Sequence, residues 1–257
     1  MKAIRVFLYI IIGVAVLYYL AARVNAPIHK AQELNQIATS DTSYIKKYSA
    51  IAKYKELLPL VKEKAYREAQ LYMSKNDSIG MVINFRDSSA NLMLKGVCIQ
   101  TSKLVDFKKD KIFDGVEAPA FRKIFSKPLH NIDEFSTFAK VPIIIKKAPK
   151  DTIEAMRMAT LPVEPPIDPA YVKYDLEYGI KLLMIQDSCD TPEELVVENM
   201  FKTELRKQKS DDLVSSLVNI GNPKYTPTIV LTLSGKDVRS IYRALPEKAD
   251  FVMIFEK

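Results

Sequence analysis

The sequence predicts a mainly β domain of the α+β class, preceded by an N-terminal transmembrane helix and a helical stalk. Three observations lead to this prediction. Residues 6–22 form one apolar run, residues 28–75 contain no glycine, and from residue 80 onward short apolar runs alternate with turn residues. The predicted boundaries are therefore a membrane anchor over 1–27, a stalk or linker over 28–76 and a β-domain over 77–257.

The composition fits one globular domain with appendages. The chain has 257 residues, of which 48% are hydrophobic and 27% charged. Two cysteines and two histidines at these spacings give no zinc pattern, so neither a metal nor another cofactor is predicted. The sequence does not decide whether Cys98 and Cys189 form a disulfide. The net charge of +7 is spread along the chain among acidic residues, so no nucleic-acid partner is predicted.

The apolar run at residues 6–22 is long enough to serve as a membrane anchor. Seventeen helical residues span roughly 25 Å, which crosses a bilayer with some lipid adjustment. Lys2 and Arg5 precede the run and place the N-terminus in the cytoplasm, so the domain lies in the periplasm or its equivalent. The alternative is a cleaved signal peptide, with Ala22 and Ala26 as the small residues. The predicted location is the cytoplasmic membrane, with a single pass.

The segment between the anchor and the β-domain reads as helical, with a break near residues 41–43 and a kink or split at Pro59. Three arrangements remain open for it. It is a stalk that holds the domain away from the bilayer, a helical pair packed on the domain, or an amphipathic surface helix.

The first half of the β-domain begins with three short strands. Residues 81–85, 91–95 and 97–101 are apolar or β-branched runs separated by turn residues, which predicts a β-meander. Residues 118–130 carry no clear period. Residues 141–150 predict a further strand that stops at a proline.

The second half of the β-domain alternates strands and helices. Residues 171–178 and 180–185 predict a hairpin that turns near Gly179. Thr191, Pro192 and Glu194 have the pattern of a helix start with a capping box, and two helices are predicted in the insertion 191–220. A strand over 228–233, a helix capped by Ser234 and a final strand over 251–255 complete the chain.

The order of these elements resembles the L,D-transpeptidase catalytic domain, whose members cross-link peptidoglycan through a cysteine. The resemblance covers residues 80–257 and implies a β-sandwich or barrel with inserted helices. In that family the late strand carries Ser-x-Gly-Cys-(Ile/Val)-Arg. Here Ile229 takes the glycine position, Val230 the cysteine position and Thr232 the arginine position. Both family histidines are also missing, since Gln186 ends the segment matching Ile-His-Gly and residues 224–227 contain none.

Valine cannot form a thiolate, so the resemblance implies a catalytically inactive domain. The expected function is a structural or interaction module of the bacterial cell envelope that binds another envelope protein, and the insertion 191–220 is expected to cover or replace the substrate cleft. One alternative is a non-catalytic peptidoglycan-binding module that uses Lys146, Lys147 and Lys181. A second alternative is an acyltransferase that uses Cys189 with His130 as its base. Cys98 is expected to be a buried structural cysteine.

Overall fold

The computed structural model describes residues 9, 13, 18, 25–37, 57–140, 169–189, 191–218 and 225–255, without the side chains of 209 and 211–218. Helix α1 covers residues 25–36. The remaining helices are α2 (Leu58–Ser74), α3 (Ala118–Phe125), α4 (Pro192–Val218) and α5 (Gly235–Ala244). The strands are β1 (Gly80–Asn84), β2 (Ser89–Leu94), β3 (Val97–Lys103), β4 (Asp106–Lys109), β5 (Leu129–Ser136), β6 (Tyr171–Leu176), β7 (Ile180–Gln186), β8 (Thr228–Leu233) and β9 (Asp250–Ile254). The chain is thus a mixed α+β fold that is mostly β.

The nine strands form one sheet whose two end strands, β3 and β4, are joined by the chain rather than paired with each other. The strand order is β3-β2-β1-β9-β5-β6-β7-β8-β4, with parallel pairing only for β1 with β9 and for β7 with β8. The two end strands are consecutive in the chain. Leu104 N–H donates to the Ser88 carbonyl, and the next residue, Val105, donates to the Thr232 carbonyl, both at 2.8 Å. The chain therefore passes from one end of the sheet to the other within two residues, which produces a barrel-like ring.

Two hairpins follow the turn chemistry of their sequences. Lys95 and Gly96 have φ of 52° and 81° in the two-residue turn between β2 and β3. Positive φ at both central residues matches the right-handed twist of the flanking strands. In the three-residue link Glu177–Gly179 between β6 and β7, Tyr178 and Gly179 also have positive φ, of 61° and 70°. The predicted meander and the hairpin turning near Gly179 are both confirmed.

The interior of the ring holds the main hydrophobic core. Alternate residues of the strands point inward, and Phe255 follows β9 into a cluster of aromatic rings. Its ring centroid lies 4.9–5.7 Å from those of four other phenylalanines, namely Phe85, Phe113, Phe121 and Phe125. Helix α5 adds Val238, Ile241 and Tyr242 to the same core.

Two helices before the sheet pack on it. In α2 the buried residues recur every four positions, at Val61, Ala65, Ala69 and Met73. Ala69 and Met73 cover the outer side chains of β1, β2 and β9. Leu34 of α1 is buried in the main core. The described parts of residues 28–76 therefore contact the β-domain as packed helices, one of the three arrangements open from the sequence; the domain boundaries stay predictions.

The predicted anchor, residues 6–22, lies outside the described residues except at 9, 13 and 18, which are helical. Within the described part of the chain, no helix combines the length and the apolar character needed to cross a membrane.

Several predicted elements need correction. Residues 118–130, in which the sequence shows no clear hydrophobic period, contain α3 and the start of β5. Strand β4 was also not predicted. The predicted pair of helices within 191–220 is wrong, because α4 runs unbroken over 27 residues. The predicted strand 141–150 lies outside the described residues.

Candidate functional site

The candidate site is the outer face of β6, β7 and β8, over which α4 lies. The start of α4 is fixed by the predicted capping box, which the structure confirms. Thr191 Oγ1 accepts from the Glu194 N–H at 3.2 Å, and Glu194 Oε2 accepts from the Thr191 N–H at 3.3 Å. Because β7 ends only a few residues earlier, this cap directs the helix back across the sheet.

Phe201 anchors α4 to the sheet. Its side chain is buried and stacks on Tyr171 of β6, with ring centroids 5.3 Å apart, and on Phe135 of β5, at 6.2 Å. Leu183 of β7 completes the centre of this contact. The remaining apolar side chains packed around it are Ile185, Cys189, Val197, Leu205 and Val230. Sequence reasoning missed Tyr171 and Phe201 as a pair, because thirty residues separate them and nothing local links them.

The two positions assigned by the resemblance to the nucleophile and the arginine lie on this face. Val230 is half-buried and packs against the Phe201 cluster. Thr232 is two residues further along β8, and its carbonyl accepts the Val105 N–H. Ile229 points the other way, into the main core. The Val230 position is therefore in apolar contact beneath a helix.

Lys181, predicted as a wall-binding residue, lies under the second half of α4. Its Nζ donates to Gln208 Oε1 at 2.9 Å and lies 3.9 Å from Asp175 Oδ1. Its side chain is only 13% exposed. Lys173 Nζ pairs with the other Asp175 oxygen at 3.0 Å. Lys146 and Lys147 lie outside the described residues, so the predicted trio is represented here by Lys181 alone.

A cavity of 230 Å³ opens beside Lys181 at this end of the face. Its polar rim combines a lysine, a carboxylate and a side-chain amide, and its remaining wall is mostly apolar. The lining residues are Ile132, Asp175, Leu176, Gly179, Ile180, Lys181, Gln208 and Thr226. Such a rim can hold a small group that carries both a donor and a carboxylate.

Comparison with protein-family models, curated proteins and solved structures found no match to this chain. The L,D-transpeptidase resemblance therefore remains a prediction.

Cys189 lies at the opposite end of the same face. Its Sγ is 2.8 Å from the Tyr171 hydroxyl and 3.7 Å from Gln186 Nε2. Cys189 thus contacts the start of β6, at Tyr171. Its predicted base, His130, precedes Asn131, which pairs with Leu176 at the other end of β6. Five residues of extended strand separate the two ends by roughly 17 Å. The predicted partnership of Cys189 with His130 is therefore not assembled in this structure.

Gln186 ends the segment that matches the family's Ile-His-Gly. Its side chain stabilises the local backbone. It is buried, its Oε1 accepts from the Ala170 N–H at 2.8 Å, and its Nε2 donates to the Ser188 carbonyl at 2.7 Å. These bonds hold the chain between β7 and α4.

Both cysteines are free thiols, so they do not form the disulfide that the sequence left open. The expectation for Cys98 is wrong, because it is exposed on β3, where its Sγ lies 3.3 Å from Thr101 Oγ1. Among the described residues, no group of three or more His, Cys, Asp or Glu side chains could hold a metal ion.

One polar pair was not predicted from the sequence. His130 Nδ1 lies 2.5 Å from Asp250 Oδ1, and Asn76 Nδ2 donates to the other oxygen of Asp250 at 3.1 Å. These residues are 120 and 174 positions from Asp250, and they come together because β9 pairs with β5 on one side and with β1 on the other. The pair joins the start of β5 to β9, and neither cysteine lies on these strands.

The Tyr171 phenol gives the site a testable pH dependence. Burial, and then the hydrogen bond with Cys189, raises its pKa well above the ordinary value of 10.0. The unfolded chain therefore loses this proton first. The contribution of Tyr171 to stability is fully present below pH 10 and is lost as pH rises toward the folded pKa.

We expect the urea midpoint to fall between about pH 9 and about pH 11, and to fall less in Tyr171→Phe, which cannot ionise. Urea unfolding at the two pH values measures this difference. Equal alkaline losses in both chains would contradict the assignment.

Proposed function

We propose that this chain is a membrane-anchored, catalytically inactive L,D-transpeptidase-like domain that acts as an interaction module in the bacterial cell envelope. Residues 6–22 serve as the anchor, and the β-domain lies outside the cytoplasmic membrane. The observation that supports the proposal most is the packing of α4 over Val230. The position that carries the nucleophile in the resembling family is here an apolar contact beneath a helix.

Two features of this face favour binding over chemistry. Acyl transfer through a cysteine needs a thiolate with room for a substrate carbonyl beside it. Val230 supplies no thiol, and Phe201 and Leu183 occupy its surroundings. Because function depends on the site that a fold carries and not on the fold itself, the helix and loops on this sheet are free to take another use.

The peptidoglycan-binding alternative is favoured by one observation, the cavity beside Lys181. A wall peptide offers carboxylates and amines that match the Lys181 and Asp175 rim. Against this alternative, Lys181 is largely covered and already donates to Gln208. The acyltransferase alternative draws no support from Cys189, whose close partner is a phenol.

Co-sedimentation of the full chain in detergent with purified peptidoglycan sacculi separates the proposal from its first alternative. We expect no saturable pelleting, since the charged rim is mostly occupied by protein groups. The matched variants are Lys181→Glu, in the cavity rim, and Lys202→Glu, on the exposed side of α4. Saturable pelleting that Lys181→Glu abolishes and Lys202→Glu preserves would make the protein a wall-binding module instead.

The same preparations test for residual chemistry. We expect no cross-linking of wall peptides by the full chain, with or without the changes Cys98→Ser and Cys189→Ala. Peptide cross-linking that disappears when Cys189 is replaced would overturn the proposal in favour of the acyltransferase.

A further inference from the structure

Helix α1 packs on the β-domain in a direction that two contacts define. Asn35 Oδ1, near the end of α1, accepts the Glu117 N–H at 2.9 Å. Five residues earlier, Lys30 Nζ lies beside the link between β6 and β7, where a Cβ on Gly179 would be 3.5 Å away. Leu34, between these two contacts, is buried in the main core. The first residues of α1 therefore lie at the end of the sheet that the β6–β7 link forms.

This end of the domain carries exposed apolar side chains from three separate segments. Ile28, on the outer side of the first turn of α1, is 53% exposed, Ile132 of β5 is 70% exposed and Tyr178 of the β6–β7 link is 36% exposed. Ile132 lines the same cavity as Gly179, the neighbour of Tyr178. We call Ile28, Ile132 and Tyr178 the α1-end patch. Exposed apolar residues of this kind commonly mark a surface that contacts a membrane or a protein.

The charges at this end of the domain are of both signs. Lys30 Nζ pairs with Glu33 at 2.7 Å, and Glu177 Oε2 accepts the His130 N–H at 3.3 Å. Asp133, next to Ile132 in β5, is exposed. Apolar side chains between charges of both signs fit a zwitterionic headgroup layer better than a strongly acidic or strongly basic partner, which would require an excess of one sign.

The length of chain before α1 decides which partner is close to this end. Only residues 23 and 24 separate the apolar run 6–22 from position 25, where α1 begins, and three Cα–Cα steps span at most about 11 Å. Lys30 lies roughly 8 Å further along the helix. The polar layer of a bilayer extends about 5–8 Å beyond each side of the hydrocarbon core. An anchor over 6–22 therefore holds the α1 end of the domain close to the headgroups.

We propose that the α1-end patch rests in the headgroup layer of the membrane that holds the anchor. Tyrosine is favourable at a membrane–water interface because its ring is apolar and its hydroxyl is polar, and Ile28 and Ile132 add apolar area beside it. The inference rests on the membrane anchor of the proposed function and adds the surface through which the domain meets the lipid. Because charges of both signs surround the patch, the contact should form without anionic lipid.

Quenching by a lipid that carries a spin label on its headgroup tests this contact. The full chain, with Cys98→Ser and Cys189→Ala, is reconstituted into phosphatidylcholine vesicles with a fluorophore on one introduced cysteine. Ile132→Cys places the fluorophore in the patch, and Asp187→Cys places it past the other end of β7, roughly 20 Å away. We expect severalfold stronger quenching at position 132 than at position 187. Equal quenching at the two positions would overturn the proposal.

A longer tether separates contact through the patch from mere closeness to the bilayer. An insertion of about twelve glycine and serine residues between positions 23 and 24 gives the domain roughly 20 Å of additional mean reach. The stronger quenching at position 132 should persist in this chain. Tyr178→Asp should then reduce it to the level at position 187, whereas Val196→Asp, at a 59% exposed position of α4, should leave it unchanged. Quenching that the insertion alone abolishes, or equal effects of the two substitutions, would contradict contact through the patch.

Alkaline carbonate extraction of the same vesicles distinguishes this inference from the proposed function. We expect the chain to remain with the lipid, as an anchored protein does. A chain that is retained but shows equal quenching at positions 132 and 187 would overturn the α1-end patch alone and leave the anchor in place. A chain that carbonate releases would overturn both the anchor and the patch.

Discussion

Replacement of Phe255 by alanine is expected to lower the free energy of unfolding by about 3–5 kcal/mol. Phe255 is 4% exposed and contacts four phenylalanine rings that come from three different parts of the chain. Its carbonyl also accepts from Arg86 Nε at 3.1 Å. Removal of the ring would leave a cavity that several rigid neighbours cannot fill. Urea unfolding of the full chain, followed by circular dichroism, measures the loss.

Val97→Ala is the matched control for this change. Val97 lies on β3 at 64% exposure, and its truncation should cost about 0.5 kcal/mol or less. Similar losses in the two variants would show that Phe255 does not hold the core together. Because small domains have only about 5–15 kcal/mol of stability in total, the expected loss is a large fraction of it.

Replacement of Phe201 by alanine is expected to release α4 from the sheet while the barrel stays folded. Loss of a buried aromatic contact costs about 3 kcal/mol, which raises the local opening equilibrium by a factor of on the order of 100. The α4 helix contains Lys202, Arg206 and Lys207, so trypsin reports its opening directly. We expect cleavage within α4 to accelerate by a similar factor, with little change in the cleavage of β1–β3.

Met200→Ala is the control on the same helix, since Met200 is 66% exposed and lies next to Phe201 in sequence. It should leave the rate of cleavage nearly unchanged. If Phe201→Ala and Met200→Ala open α4 equally, Phe201 is not the anchor of the helix.

The parts of the fold that the sequence predicts correctly depend on residues that are close together in the chain. The hairpins at Gly96 and Gly179 follow from turn residues that tolerate positive φ, and Thr191 and Ser234 cap helices with side chains three residues from their partners. Local chemistry of this kind is visible without the fold.

The parts that were missed depend on distant contacts. Strand β5 does not alternate regularly between apolar and polar residues. Its first residues pair with β9 and its later residues pair with β6, and a bulge at Ile132 separates the two parts. Helix α3 was hidden by two prolines and basic residues, although its tertiary contacts include Arg122 donating to both oxygens of Glu68. The sequence predicted two helices within 191–220, whereas the backbone forms one continuous helix from Pro192 to Val218.

The candidate site was predictable only in outline. The sequence identified Val230, Thr232 and Lys181 as positions to inspect, and all three lie on or beside the face under α4. The sequence could not indicate that the contact between Phe201 and Tyr171 holds α4 on this face. Such contacts depend on where a helix crosses a sheet, which no local pattern specifies.

Reactivity of a thiol at position 230 tests most directly whether α4 covers the site. In a chain carrying Cys189→Ala and Val230→Cys, the exposed Cys98 serves as the internal reference. Alkylation followed by peptide mapping should label Cys98 much faster than position 230, and addition of Phe201→Ala should remove most of the difference. Equal rates at the two positions without Phe201→Ala would contradict the covered site and restore an open cleft as the basis of function.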